Sequence, residues 1–202
     1  MEKHSYNGSE EKHKSATVQA VVQLAAERSP NDITTGAIAA AMGVTQRALF
    51  RHFLSKDVIW QSVVEWVSGC LLSKVDQAIR DAGSPLSALE AIFISHIEFI
   101  IRHPGVPRML VAELHRTGMT RSKQMTRALL EKYEEQISAL IETGKMFGEI
   151  HPHVATASAA TLFIGTIQGL ITHYSFVDSP AKLQTEAAAV FDLYRRGIQY
   201  NQ

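Results

Sequence analysis

The stretch Thr34 to Lys56, TTGAIAAAMGVTQRALFRHFLSK, constrains the chain more than any other. Its apolar residues fall in two short runs at helical spacing: Ile38, Ala39 and Met42, then Ala48, Leu49 and Phe53. Between them stands Gly43, a residue that turns the chain at no steric cost. Val44 plugs the corner, and Thr45 has the residue type of an N-cap. The pattern predicts two short helices around a tight turn. Gln46, Arg47, Arg51 and His52 occupy the outer arc of the second, and Lys56 follows. The segment from Gly43 to Lys56 holds three full cations and no acid. An apolar inner face with a short, basic, hydrogen-bonding outer face suits a helix that rests on its own domain and enters a major groove between two rows of phosphates.

The 202 residues suffice for one ordinary domain or for one small and one medium domain. An apolar fraction of 46% allows a real core. Lysine plus arginine equals aspartate plus glutamate at 20 each, so the formal net charge is zero. That balance argues against indiscriminate nucleic-acid binding by the whole molecule and leaves room for a local basic patch. The lone Cys70 forbids an intrachain disulfide and suits a reducing cytoplasm. The polar opening MEKHSYNGSEEK does not read as a signal peptide. Val154 to Val177 carries no charged residue, but Ser and Thr recur in it, with Gln168 and His173. It reads as a helix buried in protein and not as a membrane span.

Along the chain, residues 1–13 read as a flexible arm, with Lys12 and Lys14 candidate phosphate contacts. A first helix is expected from Ser15 to Arg28, carried by Val18, Val21, Val22 and Ala25. After the two short helices, a long one runs from Asp57 to about Asp81. Gly83-Ser84-Pro85 starts the next, to about His103, with Pro85 in the first helical position. Pro104-Gly105-Val106-Pro107 is a stop, and Arg108 to His115 is a short helix. Thr120 caps a helix to about Phe147, and two more span about Pro152 to Val177 and Pro180 to Tyr200. Nothing reads as a strand. The expectation is an all-α chain with a helix-turn-helix domain over residues 1–56 and a second helical domain over 57–202.

Several features together resemble the DNA-binding domain of the TetR-type transcriptional repressors. They are Ile33-Thr34, Ile38-Ala39, Gly43-Val44-Thr45, Leu49-Phe50-Arg51-His52-Phe53 and Ser55-Lys56-Asp57, at fixed spacing over more than twenty residues. Two positions depart from the pattern. Phe50 stands where the family usually has a tyrosine whose hydroxyl reaches a phosphate, and Ala37 where it often has aspartate. The resemblance implies a homodimer whose last two helices form a four-helix bundle with their copies. It also implies an effector cavity among the helices from Pro85 to Val177.

On this reading the partners are a palindromic double-stranded DNA operator and a small-molecule effector. Gln46 and Arg47 would contact bases, since arginine pairs bidentately with guanine and glutamine with adenine. Thr35, Thr45, Arg51, His52 and Lys56 would hold phosphates, with Phe50 packed among them. Candidate effector contacts are Phe93, His96, Phe99, His103, Met109, Glu113, Tyr133, Phe163 and Gln168: a mostly apolar wall with a few polar groups, as small-molecule sites require. Effector binding would tilt the Asp57–Asp81 helix and spoil the spacing of the two recognition helices.

There is no phosphate loop, cysteine pair or strand-borne serine elbow, so neither an enzyme nor a cofactor is expected. The nine histidines lack the spacing of a dependable zinc site. Two other readings compete: a small-molecule-binding protein or enzyme that keeps the helix-turn-helix as scaffold, and a metal-responsive regulator.

Overall fold

The computed structural model describes the backbone of residues 3–175 and 180–200 and the side chains of residues 11–174 and 181–200. Among these, nine α-helices account for the architecture: α1 (Lys3–Glu27), α2 (Thr35–Ala41), α3 (Gln46–Leu49), α4 (Lys56–Asp81), α5 (Pro85–Arg102), α6 (Gly105–His115), α7 (Arg121–Met146), α8 (Thr156–Ser175) and α9 (Pro180–Ile198). A 3-10 turn, Pro30–Asp32, follows α1. The sole β feature among the described residues is an isolated bridge between Ile150 and Gln199. Among them, too, no helix is long and apolar enough to cross a membrane.

Three boundaries differ from the sequence expectation. The flexible arm over residues 1–13 is corrected, because α1 begins at Lys3; Met1 and Glu2 lie outside the described residues. Glutamate and lysine are good helix formers, and extending a helix already anchored by packing needs no new nucleus. The Pro104–Pro107 stop is shorter than expected. α6 starts at Gly105, and Pro107 falls in its first turn, where a missing N–H leaves no bond unmade. α8 starts at Thr156 instead of Pro152; Val177, its expected end, lies outside the described residues.

The chain forms two compact units, Met1–Gly69 with His103–Leu129, and Cys70–Arg102 with Leu130–Gln202. The sequence draws its boundary after Lys56; by compactness the first unit also takes α6. Val18, Val21, Val22 and Ala25 of α1 are buried there, as are Ile33, Ile38, Leu49, Phe53 and Ile59. α6 approaches α1 closely because Gly105 has no side chain. A Cβ at Gly105 would lie 2.1 Å from the Val22 carbonyl oxygen and 2.8 Å from the Ala26 nitrogen. Arg108 Nη1 then donates to the Ala26 carbonyl at 2.7 Å, satisfying an acceptor at the end of α1.

In the second unit Phe93, Phe163 and Phe191 are fully buried. Phe93 meets Phe163 edge to face at 5.5 Å and Phe191 at 5.4 Å, within the range of favourable aromatic pairs. The Tyr194 hydroxyl donates to the Ala159 carbonyl at 3.1 Å, binding α9 to α8. At the edge of the unit the Glu149 carboxylate accepts from the Leu86 N–H at 2.9 Å, capping α5 from a distant point in the chain.

Candidate DNA-binding surface and effector region

α2 and α3 are short, and each is closed by a threonine. Thr34 accepts from the Ala37 N–H at 3.1 Å, and Thr45 accepts from the Ala48 N–H at 3.1 Å. Gly43, at φ +67°, reverses the chain between them in a conformation that other residues rarely adopt. Its N–H and that of Val44 reach back to the Ala40 and Ala39 carbonyls. Leu49 and Phe53 point into the core, so Gln46, Arg47, Phe50, Arg51 and His52 remain exposed on one outer surface.

The structure assigns these side chains unequal freedom. Gln46 Nε2 donates to Thr35 Oγ1 at 2.6 Å, tying the start of α3 to the start of α2 and fixing which way the glutamine amide faces. Arg47 and Arg51 are exposed. Thr45 is exposed, but its hydroxyl already serves the helix cap. Phe50 is 42% exposed, so it belongs to the outer surface and not the core. Lys56 is the most restrained: its ammonium lies 4.8 Å from the centre of the Trp60 ring. Burial, and next the nearby Arg116 guanidinium, lower its pKa below the usual lysine value.

Of the two α1 lysines expected to contact phosphate, Lys14 is engaged with Glu65 at 2.7 Å. Arg116 ties the start of α4 to the end of α6, bonding Asp57 at 3.1 Å and Glu113 at 3.3 Å. Glu113 is 1% exposed and accepts from Thr120 Oγ1 at 2.5 Å and Ser122 Oγ at 2.6 Å. A buried carboxylate with this many donors is a structural hub.

The nine expected effector contacts are divided between the two units. His103, Met109 and Glu113 fall in the first unit, the other six in the second. Glu113 is taken up by its hub, and the ring of His103 packs edge-on against Trp66 at 5.0 Å. Phe93 and Phe163 are core residues with no exposed surface, and Phe99 and Met109 are buried. Gln168 is exposed on α8.

His96 and Tyr133 do form a polar pair, sharing a hydrogen bond of 2.9 Å between Nδ1 and the hydroxyl. Burial pushes the His96 imidazole down to about 4 and raises the tyrosine above its ordinary value. The pair lines a crevice too narrow for a water-sized sphere, together with Leu71, Val75 and Ile92. Lys74 and Ser95 belong both to this crevice and to a wider groove of about 380 Å³ between α4 and α5, floored by Ala78, Ala82 and Ala91. The sequence gives no sign of Lys74 or Ser95, because the groove exists only where the two helices meet.

A helical chain with a capped helix-turn-helix and a basic outer surface is a DNA-binding protein in class. The model for bacterial regulatory proteins of the tetR family matches residues 18–63, and that for the C-terminal region of YsiA-like protein matches residues 66–197. The chain belongs to the TetR family of transcriptional regulators. Among curated proteins it is similar to the nucleoid occlusion factor SlmA of Marinomonas sp. (strain MWYL1), at 26% identity over 78% of this chain and 80% of that one. Among solved structures it resembles the ketosteroid transcriptional regulator KstR2 of Mycobacterium tuberculosis, with a TM-score of 0.79 and 16% identity over 93% and 95% of the two chains. It also resembles the transcriptional regulator FadR of Bacillus subtilis in complex with stearoyl-CoA, with a TM-score of 0.78 and 19% identity over 91% and 98%.

Proposed function

We propose that this chain is a homodimeric transcriptional repressor that leaves a palindromic operator when an amphipathic small molecule binds its second unit. The observation that carries the reading is the outer surface of α3 and the turn after it, where Arg47 and Arg51 are exposed beside a Gln46 oriented by Thr35. In this role Gln46 and Arg47 read base edges, and Arg51, His52, Thr35 and Phe50 line the backbone. Thr45 contributes through the cap it makes, and Lys56 through its place over Trp60 at the start of α4. No catalytic role is assigned to any residue.

For the effector, the α4–α5 groove and the crevice that shares Lys74 and Ser95 with it favour an elongated ligand with an apolar portion and a polar head. The apolar portion would part α4 from α5 and reach Tyr133 and His96, and the head would remain near Lys74. Such a ligand displaces the part of α4 that is continuous with Lys56 and Asp57. That FadR of Bacillus subtilis was solved with stearoyl-CoA makes this compound the first to try.

Selection from random duplex DNA tests the reading. A recovered palindrome, released by stearoyl-CoA or another long-chain acyl-CoA, is the expected result; no enriched sequence refutes it. The similarity to SlmA favours one second reading, a nucleoid occlusion factor. In that case deleting the gene alters cell division and leaves transcript levels unchanged.

A further inference from the structure

The N-terminal turns of α1 carry a histidine that no sequence signal singles out. The ring of His13 stacks on that of His52, with centroids 4.7 Å apart and planes inclined by 17°. Both residues are exposed, so the stacking is not core packing. His52 follows Arg51 in the turn after α3, at the edge of the basic outer surface. The backbone around His13 is itself held. Thr17 Oγ1 donates to the His13 carbonyl at 2.8 Å and lies 3.3 Å from Met42 Sδ at the end of α2. One residue on, Lys14 is paired with Glu65 of α4 at 2.7 Å. The α1 backbone at His13 is thereby braced against both α2 and α4, beside α3.

We propose that His13 and His52 together hold one backbone phosphate of the DNA beside α3, with His13 also fixing the orientation of the His52 ring. This rests on the DNA-binding reading above. A neutral imidazole can donate one ring N–H and an imidazolium two. Two stacked rings bring such edges to one place, and a phosphate oxygen accepts from both. A phosphate held this way carries no base information, so it adds affinity equally for operator and unrelated duplex.

Titration of the full-length chain against its selected operator, and against an unrelated duplex at several salt concentrations, tests this. His13→Phe keeps an aromatic ring on His52 and removes the N–H. It is expected to keep the wild-type helicity and melting curve and to lower affinity for both duplexes by roughly two- to tenfold per protomer, the range for removing one hydrogen bond. The salt slope falls by about one for each phosphate that the variant no longer neutralises. His13→Arg, whose guanidinium both stacks and donates, is expected to restore affinity. His13→Ala removes the stack as well as the N–H and should lower affinity at least as far as His13→Phe; if it unfolds, His13→Phe and His13→Arg decide. A folded His13→Phe that binds like wild type overturns the inference alone. A wild-type chain that binds no duplex overturns it together with the DNA-binding reading.

Discussion

At the scale of single residues, the outer surface of α3 separates side chains that read sequence from side chains that hold position. Arg47 is exposed, close to the helix start, where a side chain reaches base edges. Arg47→Ala is expected to cost roughly 1–3 kcal/mol per half-site and to relax base preference at one position. Lys56→Ala should weaken all sequences alike and also lower thermal stability, because its ammonium lies over Trp60. Selection profiles and melting curves of the two variants check this; matching profiles would refute the division of roles. His96 yields a second prediction. Its imidazole is held down to about 4 by burial, against about 6.5 for an ordinary histidine. The unfolded chain therefore binds the proton more readily than the folded one between those values. The stabilisation is complete above about pH 6.5 and is lost as pH falls toward 4. His96 as a residue is half-buried, so solvent screening keeps the loss at or below about 3 kcal/mol. Denaturant unfolding at pH 7 and pH 4.5 should show a drop that His96→Gln reduces; an equal drop in the variant would assign the pH dependence to other groups.

At the scale of elements, the packing of α6 on α1 depends on Gly105. The atoms a Cβ would meet belong to the α1 backbone, which cannot rotate aside as a side chain can. Gly105→Ala is expected to destabilise the first unit by about 1–3 kcal/mol or to drive α6 off α1. Trp60 and Trp66, the chain's two tryptophans, both lie in this unit. Tryptophan fluorescence during denaturant unfolding therefore reports the destabilisation directly, and an unchanged midpoint would refute the prediction. Gly105 illustrates why boundaries are hard to read locally. The run Pro104 to Pro107 looks like a helix stop by its residue types. It is instead the first turn of α6, with a proline that costs nothing there and a glycine required by a helix distant in sequence.

At the scale of the whole molecule, the outer faces of α8 and α9 are candidates for the dimer interface. Leu162 is 56% exposed and Leu193 68%. Gly165 and Gly169 face outward, and a Cβ at either meets no other atom within 4 Å. They do not pack into the unit's own core. Gly165→Leu therefore leaves each subunit folded and fills the groove that a partner helix enters, at about 1–3 kcal/mol per overpacked site, twice over in a symmetric dimer. Sedimentation with circular dichroism should find a helical monomer whose operator affinity falls steeply; an unchanged dimer would sink the proposal.

Some of this protein is determined by its sequence alone, through local chemistry. Helical periodicity gives the long helices, the two threonine caps close α2 and α3, and a glycine suited to positive φ turns the chain between them. Fixed spacing within so short a segment sets which residues face outward, so the basic surface of α3 is legible without coordinates. Contacts between distant segments are not. Residue type marks Phe93, Phe163 and Glu113 equally well as cavity lining or as structure, and only packing puts the two rings in the core and Glu113 in a hub with Arg116, Thr120 and Ser122. The groove beside Lys74 and the stack of His13 on His52 join residues far apart in the chain. Burial and ring stacking depend on which helices meet and at what rotation, and that is settled by the tertiary structure.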